Sequence, residues 1–203
     1  MTRKFLDNVY DHIGADVGEF YDDWAATYEA EVGENGYVTP GRCAKALADC
    51  VASQDMAILD FGCGTGLSGL ALRAHGFSTL DGIDLSAEML AQARSKNIYR
   101  HLTQVSADAP LPVEPGDYSA IAAIGVIGPG AAPLDVFDTL VGLLNKGGLL
   151  VLSFNNHALE DPTYEARLES FQQNGTLAQR FKEHGPHLPA RDIHSTVYVF
   201  EKL

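Results

Sequence analysis

The chain has 203 residues, 46% of them hydrophobic and 20% charged, which suits one globular domain, or one domain with a small appendage. Fourteen Lys and Arg against 27 Asp and Glu leave a net charge of −13. That balance argues against nucleic-acid partners, whose affinity rests on cationic contacts to phosphate, and favours a small-molecule or protein substrate. No run of 18 apolar residues occurs, so no membrane span is expected, and the first residues, Met1 to Asn8, read as too polar for a signal peptide.

Helical periodicity opens the chain. Phe5, Val9 and Ile13, then Phe20/Tyr21, Trp24, Tyr28 and Val32, predict two helices broken near Gly14. Tyr21 and Tyr28 are equally placed for core packing and for facing a ligand, and their hydroxyls need partners when buried. Trp24 leans to packing. Thr39-Pro40 predicts a helix start with Thr as N-cap and Pro at the first helical position. Tyr37, just ahead of it, is placed to reach a ligand. Cys43, Cys50 and Cys63 are odd in number and lack metal-ligand spacing, so a reducing cytoplasmic setting and no bound metal are expected.

Ala57 to Phe61 predicts a short buried strand with Asp60 near its carboxyl end. Gly62-Cys63-Gly64-Thr65-Gly66 and a helix from Leu67 follow. A strand, a glycine-rich turn and a helix place a ligand crevice at the end of a parallel strand. The helix offers unpaired N–H groups there. Ser78 to Asp84 predicts a second strand. Asp84 lies roughly 20 positions beyond Gly62, where a carboxylate can accept from two vicinal ribose hydroxyls. Ser86 then caps a helix carrying Met89, and His101 to Ser106 is a weaker strand leading to Asp108. Asp117 to Ile127 reads as a central parallel strand. A helix over 133–144, a fifth strand over Leu149 to Phe154 and a helix from Pro162 to Asn174 come next. Leu177 to His184 and His194 to Glu201, joined by Gly185 to Pro189 without a helix, predict an antiparallel hairpin.

The glycine turn departs from the dinucleotide fingerprint G-x-G-x-x-G, because Leu67 occupies the third glycine position and the glycine falls at Gly66. Asp60-Phe61-Gly62-Cys63-Gly64-Thr65-Gly66 instead resembles the motif that opens class I S-adenosylmethionine (SAM)-dependent methyltransferases. Gly82-Ile83-Asp84-Leu85-Ser86-Ala87-Glu88-Met89-Leu90 is similar to their G-x-D-x-S-x-x-M-L pattern. Tyr21-Asp22-Asp23-Trp24-Ala25-Ala26-Thr27-Tyr28 resembles a Y-D-x-W-A-x-x-Y lead-in of small members. Lys146-Gly147-Gly148 resembles the K-P-G-G turn, with Asn145-Lys146 standing for Lys-Pro. The resemblance covers most of residues 18–155. Its layout is similar to the small stand-alone methyltransferases named after the Williams–Beuren chromosomal region.

The resemblance implies an α/β, Rossmann-like class I methyltransferase fold: a mostly parallel seven-stranded sheet, an antiparallel C-terminal hairpin and helices on both faces. Residues 1–38 would form a helical lid or cap and 39–203 the SAM-binding domain. The implied activity is methyl transfer from SAM, and the charge points it to a small-molecule acceptor. In this picture Asp60 lies near the methionine end, and Gly62, Cys63 and Gly64 form the turn under the cofactor. Asp84 takes the ribose, while Leu85 and Met89 flank the adenine, Met89 being equally suited to the core. Asp108 accepts from the exocyclic amine and the Ala109 N–H meets a ring nitrogen. Carbonyls near Ile124 and Gly125 hold the methionine ammonium, and Tyr21 and Tyr28 cover that end.

Candidate bases are His157, His184 and His187, with His194 nearby, each weighed against a plain solvated or structural histidine. The fourth strand ends Ile127-Gly128-Pro129-Gly130 rather than in the Asp/Asn-Pro-Pro-Tyr/Phe of amino-methylating DNA enzymes, which again speaks against nucleic acid. Two rivals are a non-catalytic SAM sensor and a nicotinamide-dependent oxidoreductase, the latter disfavoured by Leu67. Nothing in the pattern fixes an acceptor atom or an oligomeric state.

Overall fold

The computed structural model describes residues 17–203, so the expected first helix with Phe5, Val9 and Ile13, and the break near Gly14, lie outside them. Seven strands form one sheet: β1 (Ala57–Phe61), β2 (Thr79–Asp84), β3 (His101–Gln104), β4 (Ala120–Ala123), β5 (Leu149–Asn155), β6 (Leu177–Leu188) and β7 (Ile193–Lys202). Their order is β3-β2-β1-β4-β5-β7-β6. β1 to β5 pair in parallel, and β7 runs antiparallel between β5 and β6. This is the expected Rossmann-like sheet with its antiparallel end. The strand order turns around at β1 and β4, and the crevice opens where connections leave in opposite directions.

Period-two alternation sorts the core into two layers. Leu59, Ile121, Leu150, Leu152 and Phe200 face α5 (Val136–Leu143), α6 (Asn156–Leu159) and α7 (Thr163–Gln173). Ile58, Leu80, Ala122, Val151 and Val199 face α2 (Thr39–Asp49) and α3 (Leu67–Ala74). β4 and β5 are buried on both faces, which is why their sequences read as continuous apolar runs rather than alternating ones. Among the described residues no helix is long and apolar enough to cross a membrane.

Three boundaries differ from expectation for identifiable reasons. Val38, not Thr39, is the N-cap of α2. The Thr39 hydroxyl instead turns inward to His187 Nδ1 at 2.8 Å and Ser195 Oγ at 3.0 Å. A buried imidazole without a partner costs more than an uncapped first turn. β6 passes its expected end at His184 and continues through Pro186 to Leu188, because it is the sheet's edge strand and proline's missing N–H is tolerated there. β4 stops at Ala123, where Gly125 takes φ +68° and turns the chain out of the sheet.

α1 (Val17–Glu34) lies across α4 (Ala87–Ser95) on a polar seam. Asp22 Oδ1 accepts from the Ser86 hydroxyl and the Glu88 N–H, Gln92 donates to the Ala25 carbonyl, and Lys96 Nζ donates to Glu29 at 2.6 Å. Phe20, Trp24 and Val32 of α1 form a separate apolar cluster with Leu188 at the end of β6.

Phe137 marks how much the layer under α5 contributes. It is fully buried, with its ring edge-on to Phe171 at 5.2 Å and Phe200 at 6.5 Å. Phe137→Ala is expected to lower unfolding free energy by about 3–5 kcal/mol, through lost transfer energy and the cavity left behind. Urea unfolding followed by circular dichroism checks this.

Candidate functional site

β1 delivers the chain into a turn that only glycine permits. Gly62 has φ +65°, and a Cβ there would lie 2.1 Å from Val126 Cγ2. The Cys63 N–H bonds the Ile83 carbonyl of β2 at 3.1 Å, so the turn is held against the neighbouring strand end. Asp84 completes that attachment: Oδ2 accepts from the Gly64 N–H at 2.8 Å and Oδ1 from the Ser86 N–H at 2.9 Å. Desolvation raises its pKa above the ordinary carboxylate value, against the lowering effect of those N–H donors. Each oxygen keeps further lone-pair capacity for a ligand.

Above this turn lies a cavity of about 890 Å³, near the top of the roughly 300–1,000 Å³ typical of ligand sites. Gly62, Cys63, Gly64, Asp84, Leu85 and Met89 line it from one side, and Asp108, Ala109, Ile124 and Gly125 from the loops beyond β3 and β4. Tyr21 and Tyr28 of α1 and Tyr37 ahead of α2 close one end. The expected residues thus converge, with particular differences. Met89 is 1% exposed, so it serves the core and the wall together. The Ala109 N–H is engaged in a turn with the Ser106 carbonyl at 3.3 Å, a weak bond that leaves it less available than a free donor. The Cys63 thiol, buried against Gly82, is pushed well above its ordinary pKa by desolvation, then by Asp60 and Asp84, so it stays protonated and un-nucleophilic.

Asp60 does not line the cavity; it is buried behind the glycine turn. Its Oδ2 accepts from the Ser68 and Tyr99 hydroxyls, both at 2.6 Å, while Oδ1 has no partner. Gly69 makes that arrangement fit, since a Cβ there would sit 2.3 Å from the Tyr99 oxygen. Desolvation pushes the Asp60 pKa up to about 6, and its two hydroxyl donors oppose the rise. Ser68, Tyr99 and Gly69 carried no sequence signal; only the rule that a buried acid needs donors anticipates them.

The candidate histidines separate. His157 is half-exposed beside Glu160 on α6, and His184 stacks on His194 in the hairpin with ring centroids 5.4 Å apart. None of these three lines either cavity described here. His187 lines a smaller cavity of about 70 Å³, together with Trp24 and the three tyrosines. Burial, then the charge of Arg42, lowers its pKa to about 4, so it is neutral near pH 7 and a poor base. Val126, Leu111, Val136 and Thr139 also line the larger cavity and were not foreseen, being ordinary apolar or helix residues in the sequence. Among the described residues no group of three or more His, Cys, Asp or Glu side chains is placed to hold a metal.

Comparison with known proteins agrees with this architecture. A methyltransferase-domain family model matches residues 37–197. Human methyltransferase-like protein 27 is 32% identical over 162 residues, covering 77% of this chain and 66% of that protein. The 18S rRNA (guanine(1575)-N(7))-methyltransferase of Saccharomyces cerevisiae is 30% identical over 128 residues, 56% of this chain and 46% of the relative. The chain therefore spans less than two thirds of either relative's length. The complex between the Haloferax volcanii Trm112 methyltransferase activator and a methyltransferase contains the same fold, with a TM-score of 0.68, 16% identity and coverage of 90% and 97% of the two chains. The motif resemblances are borne out, the narrower one included.

One expectation falls. The charge argument against nucleic acid, with its preference for a small-molecule acceptor, fails because a relative is named for rRNA and the fold occurs with a protein activator. Net charge sums over the whole surface, whereas nucleic-acid binding needs only a local cationic face or a partner that supplies one.

The Asp60 environment sets a pH signature. With a folded-state pKa of about 6 against an ordinary 3.8, the folded chain holds one more proton than the unfolded chain between those values. Stability from this group is therefore greatest at low pH and is lost as pH rises from about 4 to 6, by up to about 3 kcal/mol. Relative to Asp60→Asn, the wild type should gain stability as pH falls through that window. Parallel denaturation curves for the two proteins at every pH would contradict it.

Proposed function

This chain belongs to the methyltransferase-domain family, and from that premise we propose that it is a SAM-dependent methyltransferase whose cavity at the carboxyl end of β1 binds SAM with the transferable methyl group toward Gly125. The observation that carries the placement is Asp84. Its carboxylate is fixed by the Gly64 and Ser86 N–H groups at the rim of the cavity, next to the glycine turn.

The residues fit such a cofactor. The remaining lone pairs of Asp84 suit two vicinal hydroxyls. Leu85 and Met89 offer an apolar wall to a planar base, with the Asp108 carboxylate as an acceptor for an amine on its edge. A Cβ on Gly64 would meet nothing within 4 Å, so backbone is open to close approach by the ligand there. At the other end, backbone at Ile124 and Gly125 offers carbonyls to an ammonium. The buried, unpartnered Asp60 Oδ1 behind the turn adds a negative charge that favours a cation nearby.

When bound, SAM supplies an electrophilic methyl group on a sulfonium, ready for in-line displacement by an acceptor nucleophile. The protein's share is orientation and exclusion of water. Asp84 anchors the nucleoside so that the sulfonium end is held at Gly125. Tyr21, Tyr28 and Tyr37 cover that end, and their ring faces favour a positive charge. α1 thereby serves as the cap, seated by its polar seam on α4. For the acceptor, the yeast relative's named guanine and the Trm112 complex support testing RNA and an activator protein alongside free metabolites.

Calorimetry with S-adenosylhomocysteine tests the cofactor assignment. Asp84→Ala is expected to weaken binding by about 1.5–3 kcal/mol, roughly 10- to 150-fold, as hydrogen bonds to a charged group are lost. NADH should give no heat. An unchanged dissociation constant in the variant, or clear binding of NADH by the wild type, would overturn the placement.

A further inference from the structure

The smaller cavity adjoins the end of the larger one assigned above to the sulfonium, since Tyr21, Tyr28, Tyr37, Gly125 and Ala131 line both. Its walls are flat rings set at varied angles. Trp24 stacks on Tyr21 at 5.7 Å and meets Tyr28 edge-on at 4.8 Å, while Tyr37 meets the His187 ring at 5.1 Å. Aromatic walls of this kind suit a planar guest. About 70 Å³ holds one edge of such a ring, the remainder lying in the larger cavity. Among the described residues, no Asp, Glu, Lys or Arg lines the smaller cavity. An alkylammonium nitrogen seated in the smaller cavity would find no carboxylate among those residues to take its proton.

His187, the one histidine among the described residues that line it, has its protons placed by a chain of hydrogen bonds. Arg42 can only donate, and its NH1 group reaches Ser195 Oγ at 3.1 Å. Ser195 Oγ is 3.0 Å from Thr39 Oγ1, which is 2.8 Å from His187 Nδ1. If the proton order ran from His187 towards Ser195, the fully buried Ser195 hydroxyl would have no acceptor among the described residues. The order that satisfies every group runs Arg42 to Ser195 to Thr39 to His187. Nδ1 therefore accepts, and the neutral ring carries its proton on Nε2. Burial and Arg42 keep the ring from taking a second proton near neutral pH. His187 is thus a fixed donor and not a base.

We infer that the methyl acceptor is a planar heteroaromatic ring with a nitrogen lone pair already free at neutral pH, seated among the aromatic rings at Gly125 and steadied by an N–H of His187. This rests on the cofactor placement proposed above. In the reaction the ring nitrogen's lone pair forms the new N–CH3 bond as the S–CH3 bond breaks, and its electron pair returns to sulfur. The acceptor gains the positive charge that the sulfonium loses, and no proton has to move in that step. The ring can arrive free or as a base within RNA.

The test uses the whole chain saturated with S-adenosylhomocysteine, titrated with benzimidazole, guanosine, n-butylamine and a single-stranded guanine-containing RNA oligonucleotide. Heat from benzimidazole or guanosine, and none from n-butylamine, is expected. Heat from the oligonucleotide alone keeps the same ring chemistry and assigns it to RNA. His187→Leu should weaken the responding ligand about tenfold, the scale of one lost hydrogen bond, with S-adenosylhomocysteine affinity unchanged. His187→Gln, which keeps an N–H donor, should restore most of the loss. Methyl transfer to the responding ligand should be independent of pH between 7 and 9.

If S-adenosylhomocysteine binds but no ring ligand does, or if n-butylamine binds in their place, the acceptor inference is wrong and the cofactor placement stands. A rate that climbs tenfold per pH unit over that range would reveal a titrating base and also overturn it. Failure of S-adenosylhomocysteine to bind the wild type would instead remove the cofactor placement itself.

Discussion

The carboxylate of Asp84 is the constraint on which the site depends. One oxygen holds the glycine turn after β1 and the other holds the first turn of α4, so two βα units are joined at the crevice by a single side chain. The connection extends one step further. Ser86, whose N–H is bound by Asp84, accepts from the Met89 N–H and donates its hydroxyl proton to Asp22 of α1. Turn, helix start and covering helix are thus linked through contacts that begin at one acid. Desolvating that acid is unfavourable, as its raised pKa records, and the backbone N–H groups are what keep the charged form tolerable.

A second buried acid lies one strand away and is stabilised differently. Asp60 has only hydroxyl donors on one oxygen and none on the other, so its charge is disfavoured more strongly. A fold seeking stability alone would place an apolar residue there. Its retention beside the glycine turn makes sense if the free ligand-binding state is left under-solvated, with the deficit relieved when a cation arrives. In the proposed cofactor complex Asp84 and Asp60 divide the work: the first positions hydroxyl groups at the rim, and the second sets the field beneath.

Much of this was legible because glycine and aspartate reveal backbone geometry directly. Gly62 and Gly64 mark positive φ next to a ligand, and an acid at the end of the next strand follows from the fixed length of a βα unit. The sheet was legible for a similar reason, since β4, β5 and the middle of β7 are buried on both faces. What escaped were contacts between residues far apart in the chain with no special backbone need. Thr39 looks like an N-cap until His187, 148 positions away, is seen to require its hydroxyl. Leu111, Val136 and Thr139 look like helix or loop filler until the cavity reaches them. The acidic composition misled for the opposite reason, being a global sum applied to a local question.

The same division explains why the cofactor is easier to infer than the acceptor. The cofactor's wall comes from β1, β2 and their turns, where strand register fixes every position to within a residue. The proposed acceptor wall draws on α1 and the segment before α2, which lie outside the sheet, and on the far end of β6, where its register on β7 shifts between Pro186 and Leu188. Trp24 and Tyr28 even lie ahead of the residues the family model matches, which begin at 37. Chains that share the sheet and the Asp84 constraint are free to differ in that wall, and so in what they methylate. On the acceptor reading proposed above, specificity resides in the aromatic cluster around Gly125 and the protons ordered by Arg42, not in the motif that identifies the fold.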